Sequence, residues 1–211
     1  ASGSQITGLT DVQYKLWIQD GGAVTNMQFN FAEASLEYTP PSGFKALSTA
    51  NLPTPSVTDG SKYFDASLWA GNSTDGRAIT GYNFQPDWVW IKARNNAYSH
   101  SLTDAVRGAG VYLQSNTADP QVTGPGAFGS TLAFTSDGFT LDNGTSSNLY
   151  VNQTGTNYVG WAWAANGSGS SNTDGSINTT STSVNTTAGF SISKYDGSGS
   201  NATVGHGLGI A

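Results

Sequence analysis

The chain has no cysteine and few charged residues. Without cysteine, neither a disulfide nor a thiolate metal site can form. Charged residues make up 10% of the 211-residue sequence, against about 25% in ordinary globular proteins. The net charge is −6, and after Asn95 the only cations are Arg107 and Lys194. Because binding a phosphate backbone needs clustered Lys and Arg, this composition argues against a nucleic-acid partner.

Long apolar runs are missing as well. No stretch of the sequence approaches the roughly 18 consecutive apolar residues that span a bilayer, which argues against membrane insertion. The first residues, Ala1 to Gln5, lack the basic and apolar pattern of a secretory signal. A low-charge composition rich in Ser and Thr is typical of secreted and virion proteins.

Aromatic residues are abundant by contrast: six Trp, nine Tyr and nine Phe. Aromatic and β-branched residues in short runs, separated by Gly and Asn, predict an all-β protein. The spacing of the runs favours an antiparallel β-sandwich or jelly-roll module, with linkers rich in Gly, Ser, Thr and Asn. In Trp88–Lys92 the two-residue period places Trp88, Trp90 and Lys92 on one face of a strand.

Two segments of the sequence begin with a similar short block of residues. Phe64 begins the first copy and Phe190 begins the second, with Trp69 of the first matched by Tyr195 of the second. Such repetition predicts a β module used in tandem. Chance similarity between two strands rich in Gly and Ser is the alternative.

Four segments are predicted along the chain. Residues 1–59 are a β-rich N-terminal segment, interpreted as the end of an upstream domain or as an attachment element. Residues 60–165 are the main β-sandwich module. Residues 166–187, almost all Ser, Thr, Asn and Gly, are either a flexible spacer or weak strands that order against a neighbouring subunit. Residues 188–211 are the start of a second, truncated repeat module.

The densest polar cluster contains His100, Asp104 and Arg107. A hydrolytic triad of a neighbouring serine with His100 and Asp104 is disfavoured, because adjacent residues on a strand point to opposite faces. No Gly-x-Ser-x-Gly motif lies between a strand and a helix. We therefore predict that these three residues form a structural cluster and that the protein has no catalytic residues.

No metal or cofactor is expected. Asp-Gly pairs such as Asp75-Gly76 and Asp137-Gly138 lack the carboxylate spacing of a calcium loop and are typical of β-turns. His206 lies between two glycines and has no evident partner ligands.

Tryptophans are the remaining functional lead. Exposed aromatic rings on a β-sandwich bind sugars by stacking. The candidate glycan-binding residues are Trp69, Trp88, Trp90, Trp161 and Trp163. The alternative is that these residues pack in the core and between subunits.

Several longer motifs resemble those of a known protein family. Tyr38–Leu47 with Asn51–Pro55 looks like the closing segment of the SPRY-like (concanavalin-type) domains in tailed-bacteriophage structural proteins. Four further motifs resemble the module that follows it in predicted tail-fibre and virion proteins of marine phages, cyanophages among them. These motifs are Phe84–Arg94, Ser99–Gly108, Ser136–Thr140 and Tyr158–Trp163. Asn185–Leu208 is similar to the start of the next module.

The resemblance implies a noncatalytic virion structural protein: a tail-fibre, head-fibre or decoration subunit exposed on the virion surface. Its expected roles are assembly, surface display and host attachment. The expected partners are copies of the same chain, with a trimer favoured, other virion proteins and host surface polysaccharide. The alternative is a carbohydrate-binding module of a phage or of a secreted bacterial adhesin. Since the first domain and the last module are incomplete, the chain is either a fragment or a short subunit completed by its neighbours.

Overall fold

The computed structural model describes residues 41–45, 51–124, 126–146 and 149–209. The strands predicted at Gln13–Ile18 and Met27–Phe31 lie outside these residues. The chain divides into two compact units, Ala1–Thr54 and Pro55–Ala211. The strands described below all belong to the second unit.

Eleven strands follow a three-residue 3₁₀ helix, Gly60–Lys62, in the described part of the second unit. They are β1 (Phe64–Ala70), β2 (Arg77–Thr80), β3 (Trp88–Ala93), β4 (Ser101–Asp104), β5 (Val111–Leu113), β6 (Val122–Thr123), β7 (Ser130–Thr135), β8 (Gly138–Asp142), β9 (Asn157–Trp163), β10 (Ser181–Asn185) and β11 (Phe190–Lys194).

Two antiparallel sheets enclose the core. The larger sheet has the order β1-β9-β3-β4-β5-β6, and the smaller has the order β2-β8-β7. The buried cluster combines Val89, Ile91 and Tyr158 of the larger sheet with Phe139 and Leu141 of the smaller one. All five residues are fully buried, so the unit is an all-β sandwich, as the sequence predicts.

Side-chain alternation explains which face of the larger sheet is buried. In β3, Val89, Ile91 and Ala93 point into the core, whereas Trp88, Trp90 and Lys92 are only partly buried. This confirms the two-residue period read from the sequence. Strand β9 pairs with both β1 and β3 without a shift in register. In β9, Tyr158, Gly160 and Ala162 face the core, whereas Trp161 and Trp163 face outward.

A separate hairpin of β10 and β11 follows the sandwich. Strand β10 lies in the segment predicted as a spacer or as weak strands, and it pairs within the same chain. The repeated phenylalanines occupy equivalent places, since Phe64 begins β1 and Phe190 begins β11. No helix among the described ranges is long and apolar enough to cross a membrane.

Gly160 should be essential for packing of the sandwich, because a Cβ at this position would lie 2.9 Å from the ring of Trp69. The ring is held in the core and cannot move away freely. We expect Gly160→Ala to lower the free energy of unfolding by about 1–3 kcal/mol, measured by urea denaturation. Gly197→Ala, where a Cβ meets nothing within 4 Å, is the control. Equal midpoints for the two variants would contradict this account of the core.

Candidate functional site

The outward face of β3 and β9 carries four tryptophans. Trp88 lies opposite Trp163, and Trp90 lies opposite Trp161. Both pairs meet edge to face, with ring centroids 6.4 Å and 6.0 Å apart. All four side chains are half-buried. Direct opposition across antiparallel strands thus gathers four residues from distant parts of the sequence into one patch.

Two phenylalanines enlarge this patch. The ring of Phe64 lies 4.9 Å from that of Trp163. Phe190, at the start of β11, stacks on Trp163 at 6.0 Å and meets Trp88 edge-on at 5.9 Å. We call these six residues the aromatic face: Phe64, Trp88, Trp90, Trp161, Trp163 and Phe190. Four of them, Trp88, Trp90, Trp163 and Phe190, line a cleft of about 220 Å³.

Trp69 does not belong to the aromatic face. It is 8% exposed, and its indole Nε1 donates a hydrogen bond of 3.0 Å to the Val151 carbonyl. Its ring stacks on Tyr158 at 5.7 Å. The side chain of Trp69 points inward because the even-numbered residues of β1 are exposed and alternate residues of a strand face opposite sides. The candidate set of five glycan-binding tryptophans is therefore corrected to four.

His100 lies beside the aromatic face, with its ring 5.6 Å from that of Trp90. The indole Nε1 of Trp90 donates a 2.8 Å hydrogen bond to His100 Nδ1, so the imidazole must be neutral at that nitrogen. Burial, and secondly the charge of Lys92, lower the pKa of His100. The His100 backbone N–H donates to Asn116 Oδ1. The imidazole thus positions the Trp90 ring.

Asp104 and Arg107 form a tight ion pair at the end of β4. Arg107 Nε donates to Asp104 Oδ2 at 2.6 Å, and the Arg107 backbone N–H donates to Asp104 Oδ1 at 2.8 Å. Arg107 Nη2 also donates to the Leu102 carbonyl. These bonds stabilise the turn that follows β4. His100 makes its side-chain hydrogen bond to Trp90 and not to this pair.

Asp87 connects the sandwich to the segment that leads to the hairpin. Its carboxylate accepts hydrogen bonds from the backbone N–H groups of Ala165 (2.7 Å) and Gly167 (3.1 Å). The residue is 4% exposed, and its pKa is raised because burial outweighs these two bonds. Asn166 adds a bond from its backbone N–H to Ser183 Oγ of β10. These contacts hold the hairpin beside the aromatic face.

Within the described residues, His100 and Ser99 do not form the Ser–His pair that a hydrolase needs. His100 Nδ1 already accepts from Trp90, and Ser99 Oγ accepts from Asn116. The described residues also contain no group of three or more His, Cys, Asp or Glu side chains able to hold a metal ion.

Comparison with known families gives a match over most of the chain. The family described as "Domain of unknown function (DUF7483)" matches residues 59–211. The chain belongs to the DUF7483 family. The matched range contains the whole sandwich and the hairpin, so the aromatic face lies within the DUF7483 domain. No curated protein and no solved structure matches the chain.

Sequence reasoning missed Phe64 and Phe190 as members of the aromatic face. A usable signal was present, because the repeat aligns these two residues with each other. In the structure both contact Trp163, from opposite ends of the domain sequence. The repeat therefore marks two aromatic side chains that share one partner.

The stability of the domain should fall in mild acid because of His100. A His whose pKa is lowered by folding stabilises the native state fully above its unfolded pKa, near 6.5, and loses that contribution as the pH falls. We expect the free energy of unfolding to drop between pH 7.5 and pH 5.5, and His100→Phe to reduce the drop. His206→Phe is the control, since His206 is exposed. An unchanged pH dependence in His100→Phe would refute this role.

Removing either member of the buried ion pair should destabilise the protein. Side-chain exposure is 12% for Arg107 and 5% for Asp104, so Asp104→Ala leaves a nearly buried cation without its partner. We expect Asp104→Ala or Arg107→Ala to lower the free energy of unfolding by about 2–4 kcal/mol, measured by denaturant titration. Retained stability with loss of an enzymatic activity would show that the pair is catalytic.

Proposed function

We propose that this DUF7483 protein is a noncatalytic β-sandwich subunit on the surface of a bacteriophage particle, and that it assembles with further copies of itself through the edge of β1 that no strand of the described residues covers. The resemblance of its motifs to those of predicted tail-fibre and virion proteins supports the phage setting. The observation that carries the assembly role is the composition and hydrogen bonding of β1.

Among the strands of the described residues, β1 lies at the end of the larger sheet. The Ala164 N–H bonds to the Tyr63 carbonyl, and the Gly71 N–H bonds to the Thr156 carbonyl. Hydrogen-bonded pairs with β9 therefore fall at odd-numbered residues of β1, and the even-numbered residues direct their backbone groups away from β9. The side chains of these even-numbered residues are also exposed.

Two backbone groups at this edge already have hydrogen-bond partners within the chain. The Ala66 N–H donates to Asp65 Oδ1 at 2.7 Å, and the Ala70 carbonyl accepts from Arg77 Nη1 at 2.6 Å. Within the described residues, the backbone groups of Phe64 and Leu68 at this edge have no such partner. Two places on one strand are thus open to a strand from a neighbour.

The side chains at these two places are apolar and exposed. Phe64 is 44% exposed and Leu68 is 65% exposed. A long edge strand with exposed apolar residues favours strand addition. The opposite edge of the sheet, β6, has only two residues and offers a far shorter template. We therefore assign the contact between copies to β1.

The geometry of the contact bears on the number of copies. If β1 pairs antiparallel with β1 of a second copy, the contact is isologous and closes as a dimer. The trimer expected of a fibre instead requires β1 to add to a different strand of its neighbour. The mass of the assembly distinguishes these two arrangements.

Saccharide binding is the second candidate function. The cleft of about 220 Å³ between four aromatic rings favours it, because stacking on rings of this kind is a common way to hold a sugar.

A charge placed on the β1 edge should separate the copies. We expect the 21.9 kDa chain to form a stable oligomer in light scattering and Leu68→Lys to shift it to the monomer, because an exposed lysine on an edge opposes strand pairing. Leu132→Lys is the matched control, since Leu132 is a 43% exposed leucine on edge strand β7 of the other sheet. Circular dichroism checks that both variants fold.

A monomeric parent protein at all concentrations tested would overturn assembly through β1, as would an oligomer unaffected by Leu68→Lys. The phage setting is tested separately by labelling purified particles of the encoding phage with an antibody against the chain. Absence of label from intact particles, with the protein found only in the lysate, would overturn that part.

A further inference from the structure

We call the cleft lined by Trp88, Trp90, Trp163 and Phe190 the aromatic cleft. A second cleft adjoins it. Its volume is about 320 Å³, at the lower end of the range for small-molecule sites. Trp88, Leu102 and Leu113 of the sandwich form one wall, and Ile192 and Tyr195 of the hairpin segment lie across from them. Trp88 lines both clefts, so they meet at this one indole ring.

Together the two clefts form one groove, and its walls suit a sugar chain. A pyranose ring has C–H faces that pack on aromatic rings and an edge of hydroxyl groups that faces solvent or polar side chains. The aromatic cleft supplies three indole or phenyl rings besides Trp88. Tyr195, at the other end of the groove, is 49% exposed. Half-buried rings at one end and the exposed ring of Tyr195 at the other allow contact with more than one sugar unit.

The charges in the groove select the kind of sugar. Three charged side chains line the larger cleft: Asp104, Arg107 and Lys194. Asp104 and Arg107 neutralise each other. Lys194 is exposed at the end of β11, and it has no ion pair within the described residues. The groove therefore offers one uncompensated positive charge on a chain whose net charge is −6.

We propose that this groove binds an acidic polysaccharide. The rings of Trp88 and Tyr195 stack on sugar units, and the Lys194 ammonium pairs with a carboxylate or sulfate of the same chain. The acidic net charge of the protein disfavours association with acidic chains elsewhere on its surface, so the contact is confined to the groove. An aromatic and cationic groove that Ser191 and Ser193 also line is less suited to an aliphatic peptide.

This inference does not depend on assembly through β1. Addition of a second copy at the β1 edge extends the sheet sideways and leaves its outward face open. Two copies would then present two grooves to one polymer, which raises the avidity without any new contact.

The test uses affinity gel electrophoresis of the full chain, with alginate, a linear polyuronate, or dextran, a neutral glucan, in the gel. We expect alginate to slow the protein and dextran to leave its mobility unchanged. Tyr195→Ala and Lys194→Gln should each weaken the retardation by about three- to tenfold, the loss expected for one stacking or charged contact. Because the Lys194 contact is electrostatic, retardation should also decline as salt is added.

Lys62→Gln is the matched control, since Lys62 is an exposed lysine that lines neither cleft, and it should behave like the parent protein. Tyr195 and Lys194 are exposed, and near-UV circular dichroism verifies that their variants retain the fold. No retardation by alginate, equal retardation by dextran, or an unchanged response in both groove variants would each overturn the proposal. None of these results bears on the oligomer mass, so failure here is distinct from failure of β1 assembly.

Discussion

The antiparallel register of β3 and β9 is the constraint on which the rest of the domain depends. On the inward side of β9, there is no room at Gly160 for a methyl group, because the ring of Trp69 lies too close. At this position of β9 only glycine fits, whereas Tyr158 lies in the core and Trp161 and Trp163 point outward. Since β3 and β9 pair residue by residue, their tryptophans meet on that outward side. The aromatic face is thus a consequence of how the core is packed.

The hairpin belongs to the same arrangement. Asp87, directly before β3, binds the backbone immediately after β9 through two N–H groups. One buried carboxylate therefore fixes where the chain leaves the sandwich. From that point β10 and β11 bring Phe190 back onto Trp163. The groove exists because this polar anchor and this aromatic contact act at the two ends of the same segment.

The alternation of Trp88–Lys92 and the all-β class were readable from the sequence, because a two-residue period is a local property. The burial of Trp69 was not, since it depends on the pairing of β1 with β9, more than 80 residues apart. Strand β10 was equally hard to identify, because Ser, Thr and Asn give it little apolar signal. His100 and Asp104 lie close in sequence, but the partner of His100 is a tryptophan on the neighbouring strand. Cross-strand partners of this kind follow from register, which composition does not specify.

The spacing of the indole rings also has an optical consequence. Trp90 and Trp161 lie 6.0 Å apart, and Trp88 and Trp163 lie 6.4 Å apart, both at steep angles. Transition dipoles this close and this inclined couple in the excited state, which gives rise to paired bands of opposite sign in circular dichroism. Since the coupled rings are those of the aromatic face, the domain carries an intrinsic chromophore that reports on its own surface, without any attached label.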